Sequence, residues 1–142
     1  DFSYWLSNQK LFQLPLELVC THDMKLEDLH KVGYIMLDWG THFNLQHAKL
    51  CKELPAPSLH TNLARVALDF MLQAGGAAYL PSSLSTPYIE QGILHPIKDA
   101  PEMQRDVYAS YHKDNDNQLL IEEVIAIFKN LGTQAAPSLL PE

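Results

Sequence analysis

The sequence predicts an α/β fold of the layered kind, on three observations. Short apolar runs alternate with amphipathic stretches along most of the chain, the order that packs helices against a sheet. Ser58 to Ser82, SLHTNLARVALDFMLQAGGAAYLPS, reads as a whole strand–helix–turn–strand unit. A length of 142 residues, 46% of them hydrophobic, suffices for one domain with a packed core.

The elements follow in order. Leu14–Thr21 (LPLELVCT) alternates and then runs apolar, a strand with Pro15 near its beginning. His22 and Asp23 make a turn, and Lys25–Leu29 is a single helical turn. Gly33–Leu37 (GYIML) is a buried strand, followed by a loop over Asp38–Thr41 in which Gly40 is the flexible point. Phe43–Leu54 is a helix with Leu45, Ala48 and Leu50 inward, stopped by Pro55 and Pro57. In the next helix Leu63, Val66, Ala67, Phe70 and Met71 share one face. Thr61 or Asn62 caps its start, and Gly75 ends it with a positive φ.

The AAYLP run that follows has the composition of a parallel strand buried on both faces. Leu84–Gln91 is a short helix entered at Pro87 and ended at Gly92. Ile93–Ile97 and Arg105–Tyr111 are strands, and Lys113–Asn117 is a turn. Leu119–Leu131 is a helix, apolar at Leu120, Ile121, Val124, Ile127, Phe128 and Leu131, capped by Asn117 and stopped by Gly132. Thr133–Glu142, with two prolines, is expected to be a flexible tail.

Charge and composition narrow the function. A formal net charge of −7 argues against this segment gripping a phosphate backbone. No apolar run is long enough for a membrane span, and no basic-then-apolar leader opens the chain. Cys20 and Cys51 read as buried thiols of a reducing cytoplasm. The chain opens DFSYWLSNQK on Asp1 rather than Met, from which we expect it to be part of something longer.

Most chemical motifs fail on spacing. A calcium loop counted from Asp114 would need Gly sixth and Glu twelfth, where Leu119 and Ile125 stand. His47 and Cys51 share a helix face, yet no CxxC or HExxH supplies further zinc ligands, so no metal and no cofactor is expected. There is no GxSxG elbow for Ser82 or Ser83, and Cys20 with His22 reads as a strand end. Gly75-Gly76 lacks the spacing of a phosphate loop. What remains is recognition, with no catalytic residues. Helix starts near Thr41–Phe43 and Thr61–Asn62 both follow strands, and their free N–H groups can face one crevice and hold a small anion or polar ligand. Plain helix capping accounts for the same residues without a ligand.

The order of these pieces resembles the effector-binding half of LysR-type transcriptional regulators. The resemblance rests on LPLELVCTHD, KLEDLHKVGYIML, DWGTHFNLQHAKLCKEL, ALDFMLQAGGAAYLPSSL, ILHPI, DVYASYHKDN and LIEEVIAIFKNL, together covering about residues 14–131. The LDWG segment is most similar to the branch that contains the H-NS-dependent flagellar regulator.

The resemblance implies a two-lobed, periplasmic-binding-protein-like regulatory domain, present here mainly as its second lobe, with a mixed sheet flanked by helices. On that reading residues 1–13 are a remnant of the first lobe, 14–112 the second lobe and 113–132 a closing helix that returns to the first. It also implies a small-molecule effector in an interlobe cleft, an N-terminal helix-turn-helix for DNA outside this chain, and a homodimer or homotetramer. Carried over by position, the cleft-facing residues are Thr41, Phe43, Thr61, Asn62, Leu80 and Pro81. Thr61 and Asn62 are expected to donate hydrogen bonds, and Trp39 or Phe43 to form an apolar wall. The competing readings are an exported solute-binding protein, a small α/β hydrolase using Ser82 or Ser83, and an oligomerisation module without ligand.

Overall fold

β1 runs over Leu6–Cys20, and a 3₁₀ turn over Leu26–Lys31 leads into β2 (Ile35–Leu37). Helix α1 (Thr41–Leu50), β3 (Leu59–Thr61), α2 (Ala64–Ala74) and β4 (Ala77–Pro81) follow. The chain ends with α3 (Ser82–Glu90), β5 (His95–Pro96), β6 (Met103–His112) and α4 (Gln118–Ala135). These elements come from a computed structural model that describes residues 5–135.

Two compact units divide the described residues. The larger comprises Pro15–Arg105. In it the second half of β1 pairs antiparallel with β4, Leu16 opposite Pro81 through Cys20 opposite Ala77, and with β5 at Val19 and Cys20. A separate parallel pair joins β2 to β3, Ile35 opposite Leu59 and Leu37 opposite Thr61. The core gathers Leu16, Leu18 and Val19 of β1, Ile35 and Leu37 of β2, Ala67, Leu68 and Met71 of α2, and all of β4 through Leu80. The smaller unit comprises 5–14 and 106–135, where the first half of β1 pairs with β6. Gln9 Nε2 donates to Tyr111 Oη, Gln13 Nε2 donates to Asp106, and Lys10 forms an ion pair with Asp106.

Several elements differ from the sequence expectation, each for a physical reason. β1 starts eight residues earlier than Leu14, because the preceding polar residues find partners across the β1–β6 pair. The AAYLP strand is wholly buried, but its ladder is antiparallel to β1; a single bridge between Tyr34 and Ala77 is parallel. Burial on both faces makes such a run apolar whichever way its neighbour points.

Helix α2 turns inward through Ala67, Leu68 and Met71, while Leu63, Val66 and Phe70 are exposed. Ala67 and Met71 of the expected stripe are buried, and Leu68 rather than Leu63, Val66 or Phe70 joins them, with Arg65, Asp69 and Gln73 on the exposed side. Neither Thr61 nor Asn62 is its N-cap; Leu63 is, and Thr61 Oγ1 instead accepts the Leu63 N–H at 3.2 Å. Gly75 ends α2 with φ 79°, as expected.

Helix α1 is two residues earlier at its start and stops at Leu50, with Leu45, Ala48 and Leu50 outward. Its inward face is Phe43, His47 and Cys51, an aromatic–imidazole–thiol row that an aliphatic pattern search passes over. The Tyr34 hydroxyl lies 2.7 Å from His47 Nε2. Burial raises the Tyr34 phenol and lowers the His47 imidazole, so the phenol donates and the neutral ring accepts. Cys20 and Cys51 are buried free thiols.

Helix α3 begins at Ser82 and contains Pro87 rather than starting from it; Ser85 Oγ anchors its first turn to Pro81 O and Glu17 Oε1. Gly132 does not stop α4, which continues to Ala135; the expected tail beyond that, and the first four residues of the expected remnant, lie outside the described residues. In α4 Ile125 is buried, and Leu120, Val124, Ile127 and Phe128 are exposed.

One backbone position holds the larger unit's central crossing. Gly76 has φ 140°, its N–H donates to Thr21 Oγ1 and its carbonyl accepts from Thr21 N–H, both at 3.0 Å. A Cβ there would sit 3.0 Å from Ile35 Cδ1 and 3.5 Å from Gly33 O. Gly76→Ala therefore combines a backbone conformation reserved for glycine with overpacking and should cost about 2–4 kcal/mol in urea unfolding. Gly92→Ala, where φ is 74° and nothing lies within 4 Å, should cost only about 1 kcal/mol. Equal losses at the two sites would contradict this packing.

Candidate functional site

The parallel pairing of β2 and β3 brings the C-terminal ends of both strands to one edge, and a helix leaves from each. Just past the ladder, Asp38 N–H donates to Thr61 O at 3.0 Å, so the two exits are tied together. Asp38 then folds back over the start of α1. Its Oδ1 accepts the Gly40 N–H at 2.9 Å and Asn44 Nδ2 at 3.0 Å. The first of these closes an Asx turn, which the D-x-G spacing favours. Gly40 takes φ 100°, which lets the chain enter α1 directly.

A pocket of about 420 Å³ lies at this edge, lined by Met36, Asp38, Asn44, His60, Thr61 and Asn62. The Gly40 hydrogen bond, then that of Asn44, and after them the charge of Arg105 hold the exposed Asp38 carboxyl below its usual range. It is therefore an anion at neutral pH. The Arg105 guanidinium lies over the Trp39 ring, 5.4 Å from its centroid. Asn44 Oδ1 is buried and accepts no hydrogen bond among the described residues. The lining thus offers a fixed anion, amide groups, a hydroxyl, an imidazole and one thioether. That set suits holding a small polar molecule by hydrogen bonds.

The residues expected from the sequence separate into three groups. Thr61 and Asn62 line the pocket. Thr41 is exposed at the first position of α1 but is not part of the lining. Trp39, Phe43, Leu80 and Pro81 are buried. Trp39 donates its indole N–H to Tyr79 O at 3.0 Å, and Phe43 packs edge-on against Tyr79. Sequence reasoning passed over Met36, Asp38, Asn44 and His60. The Asx-turn signature of Asp38-Trp39-Gly40 could have marked Asp38, whereas the reach of Asn44 back to it depends on the entry angle of α1.

Ser82 and Ser83 show no nucleophile geometry. Ser83 Oγ is buried without a hydrogen-bond partner, and Ser85 donates to Glu17 rather than to a histidine. Among the described residues no helix is long and apolar enough to cross a membrane.

Comparison with known proteins places this geometry in context. Residues 4–132 match the family described as LysR substrate binding domain. The HTH-type transcriptional regulators HdfR of Yersinia pestis (strain Pestoides F) and of Yersinia pseudotuberculosis (serotype O:1b) are each 31% identical over 134 residues, 94% of this chain and 44% of theirs. The chain therefore spans less than half the length of these curated relatives.

Among solved structures, full-length HypT of Salmonella typhimurium, a hypochlorite-specific LysR-type transcriptional regulator, aligns with TM-score 0.68 at 18% identity, over 91% of this chain and 47% of that one. The regulatory domain of MetR from N. meningitidis aligns with TM-score 0.64 at 20% identity, over 92% and 68%. The effector domain of AmpR from Pseudomonas aeruginosa aligns with TM-score 0.65 at 14% identity, over 94% and 70%. At these identities the likeness is one of fold, and the fold is the periplasmic-binding-protein-like one of LysR regulatory domains.

The Asp38 hydrogen bonds carry a pH signature. Because the folded carboxyl titrates below the unfolded one, its stabilisation is full above the unfolded value and is lost as pH falls through the folded value. Asn44→Ala removes one of the two lowering hydrogen bonds. A carboxyl-carbon NMR titration should show the Asp38 midpoint rising toward the ordinary aspartate value while staying below it, since the Gly40 N–H remains. An unchanged midpoint would contradict the assigned cause.

Proposed function

The chain belongs to the LysR substrate-binding-domain family, and from that premise we propose that it is the effector-sensing part of a DNA-binding transcriptional regulator. The observation that carries the reading is the family match over residues 4–132 together with a polar pocket at the paired ends of β2 and β3. Ligands of open α/β sheets bind outside the carboxyl ends of strands, which is where this pocket lies. Thr61 and Asn62 contact the effector, Asp38, Asn44 and His60 complete the wall, and Trp39 and Phe43 brace it through Tyr79.

In the whole protein the DNA contacts come from a helix-turn-helix outside the aligned part. Support comes from the relatives' designation as HTH-type regulators and from the 44% of their length that this chain covers. The acidic charge of the chain fits a sensing rather than a DNA-gripping role. The larger unit is the second lobe. The unit holding α4 belongs to the first lobe, and the remainder of that lobe covers its apolar face. An open groove of about 590 Å³, lined by residues such as Phe12, Val107, Leu120, Val124 and Phe128, supports that assignment, because an amphipathic layer is stable only when covered.

The mechanism is a population shift without bond chemistry. The effector binds one lobe arrangement better than the other, and a cytoplasmic homodimer or homotetramer passes that preference to its DNA-binding modules. The chain itself is not an enzyme on this reading.

The test is thermal-shift screening of the chain against a metabolite library, followed by calorimetry of any hit. Asn62→Ala and Thr61→Ala should each weaken a stabilising hit about tenfold, the size of one lost hydrogen bond. Unchanged affinity in both variants would remove the pocket from the effector site.

A further inference from the structure

In an α/β crevice the ordinary guest at a helix start is an anion, held by the free N–H groups. Here one donor at each helix start is engaged by the protein itself. The Gly40 N–H is given to Asp38 Oδ1, and the Leu63 N–H that opens α2 is given to Thr61 Oγ1. The carboxylate of Asp38 occupies the place an incoming anion would take at α1, and it is ionised at neutral pH.

The groups left without partners point the other way. Among the described residues Asp38 uses only Oδ1 in hydrogen bonds, so Oδ2 is a charged acceptor with capacity to spare. Asn44 Oδ1 is an acceptor with no donor. Neither lysine nor arginine lines the pocket. Arg105, the cation that acts on Asp38, is seated over the Trp39 ring outside the lining. Met36 supplies an apolar patch for a short methylene segment.

We propose that the group this pocket receives is an ammonium or similar cationic hydrogen-bond donor, carried by a small aliphatic amine, and that carboxylates are disfavoured. The inference rests on the pocket being the ligand site proposed above. An ammonium brings a positive charge and three N–H donors to the free carboxylate oxygen of Asp38, beside the buried amide oxygen of Asn44. A carboxylate in the same place would meet a like charge and leave Asn44 Oδ1 still without a donor.

Four matched probes test this on the 142-residue chain: n-butylamine and putrescine against butyrate and succinate. Amide NMR shifts of Gly40, Asn44, Thr61 and Asn62 report occupancy. The amines should shift these signals saturably, with Kd at least tenfold below the carboxylates. Asp38→Asn should weaken the amines at least tenfold. Asn62→Lys, an exposed change at the rim, should weaken the amines and strengthen succinate with the rest of the spectrum preserved. Carboxylates binding as well as amines, or amine binding indifferent to both variants, would overturn the charge assignment and leave the pocket as a ligand site. Failure of all four probes would also overturn this inference. The wider effector reading falls only if library hits ignore Thr61 and Asn62.

Discussion

The β2–β3 pair is the constraint on which the candidate site depends. Three residues of parallel ladder, extended by the Asp38 N–H bond to Thr61 O, hold two strand ends side by side. Everything at the site follows from that tie. Helices α1 and α2 leave from one edge, Asp38 is placed to close an Asx turn on Gly40, and Asn44 reaches back one turn later. Beneath the edge, Trp39, Phe43 and Tyr79 form a buried aromatic support with specific polar anchors: the indole N–H on Tyr79 O, and the Tyr79 hydroxyl on Pro101 O at 2.8 Å. Such buried polar groups are costly when unpaired, so their satisfaction fixes one arrangement of the floor.

Much of the fold was legible because the strand and helix signals are local. Gly75 and the buried AAYLP run mark the α2–β4 turn unambiguously, and the order of pieces from LPLELVCTHD onward carries the LysR likeness that the family match bears out. The parallel direction expected for β4 failed because burial is written in composition while strand direction is not. The inward face of α2 was half legible: Ala67 and Met71 of the expected stripe are buried, but Leu68 joins them in place of Leu63, Val66 and Phe70, because apolar residues flank the stripe and periodicity alone does not choose among them.

The site was legible at its backbone and not at its electrostatics. Thr61 and Asn62 fall in the pocket because a polar pair after a strand and before an apolar helix is a sequence-level signal. Trp39 and Phe43 look like ligand walls in one dimension, but in three they are the supports on which the wall stands. Asp38 decides the character of the pocket. Its importance arises from Asn44 six residues on and from the Thr61 carbonyl beyond that, a long-range convergence invisible to motif reading. A polar pocket on a regulatory fold joins these features to the family, since binding energy gained there can bias a conformation.

The most direct test is a crystal structure of the chain with its most stabilising small-molecule ligand. The account predicts ligand density at the paired ends of β2 and β3, within hydrogen-bond distance of Asp38 and of Thr61 or Asn62. Density confined to the apolar groove beside α4, with the Asp38 edge holding only water, would contradict it.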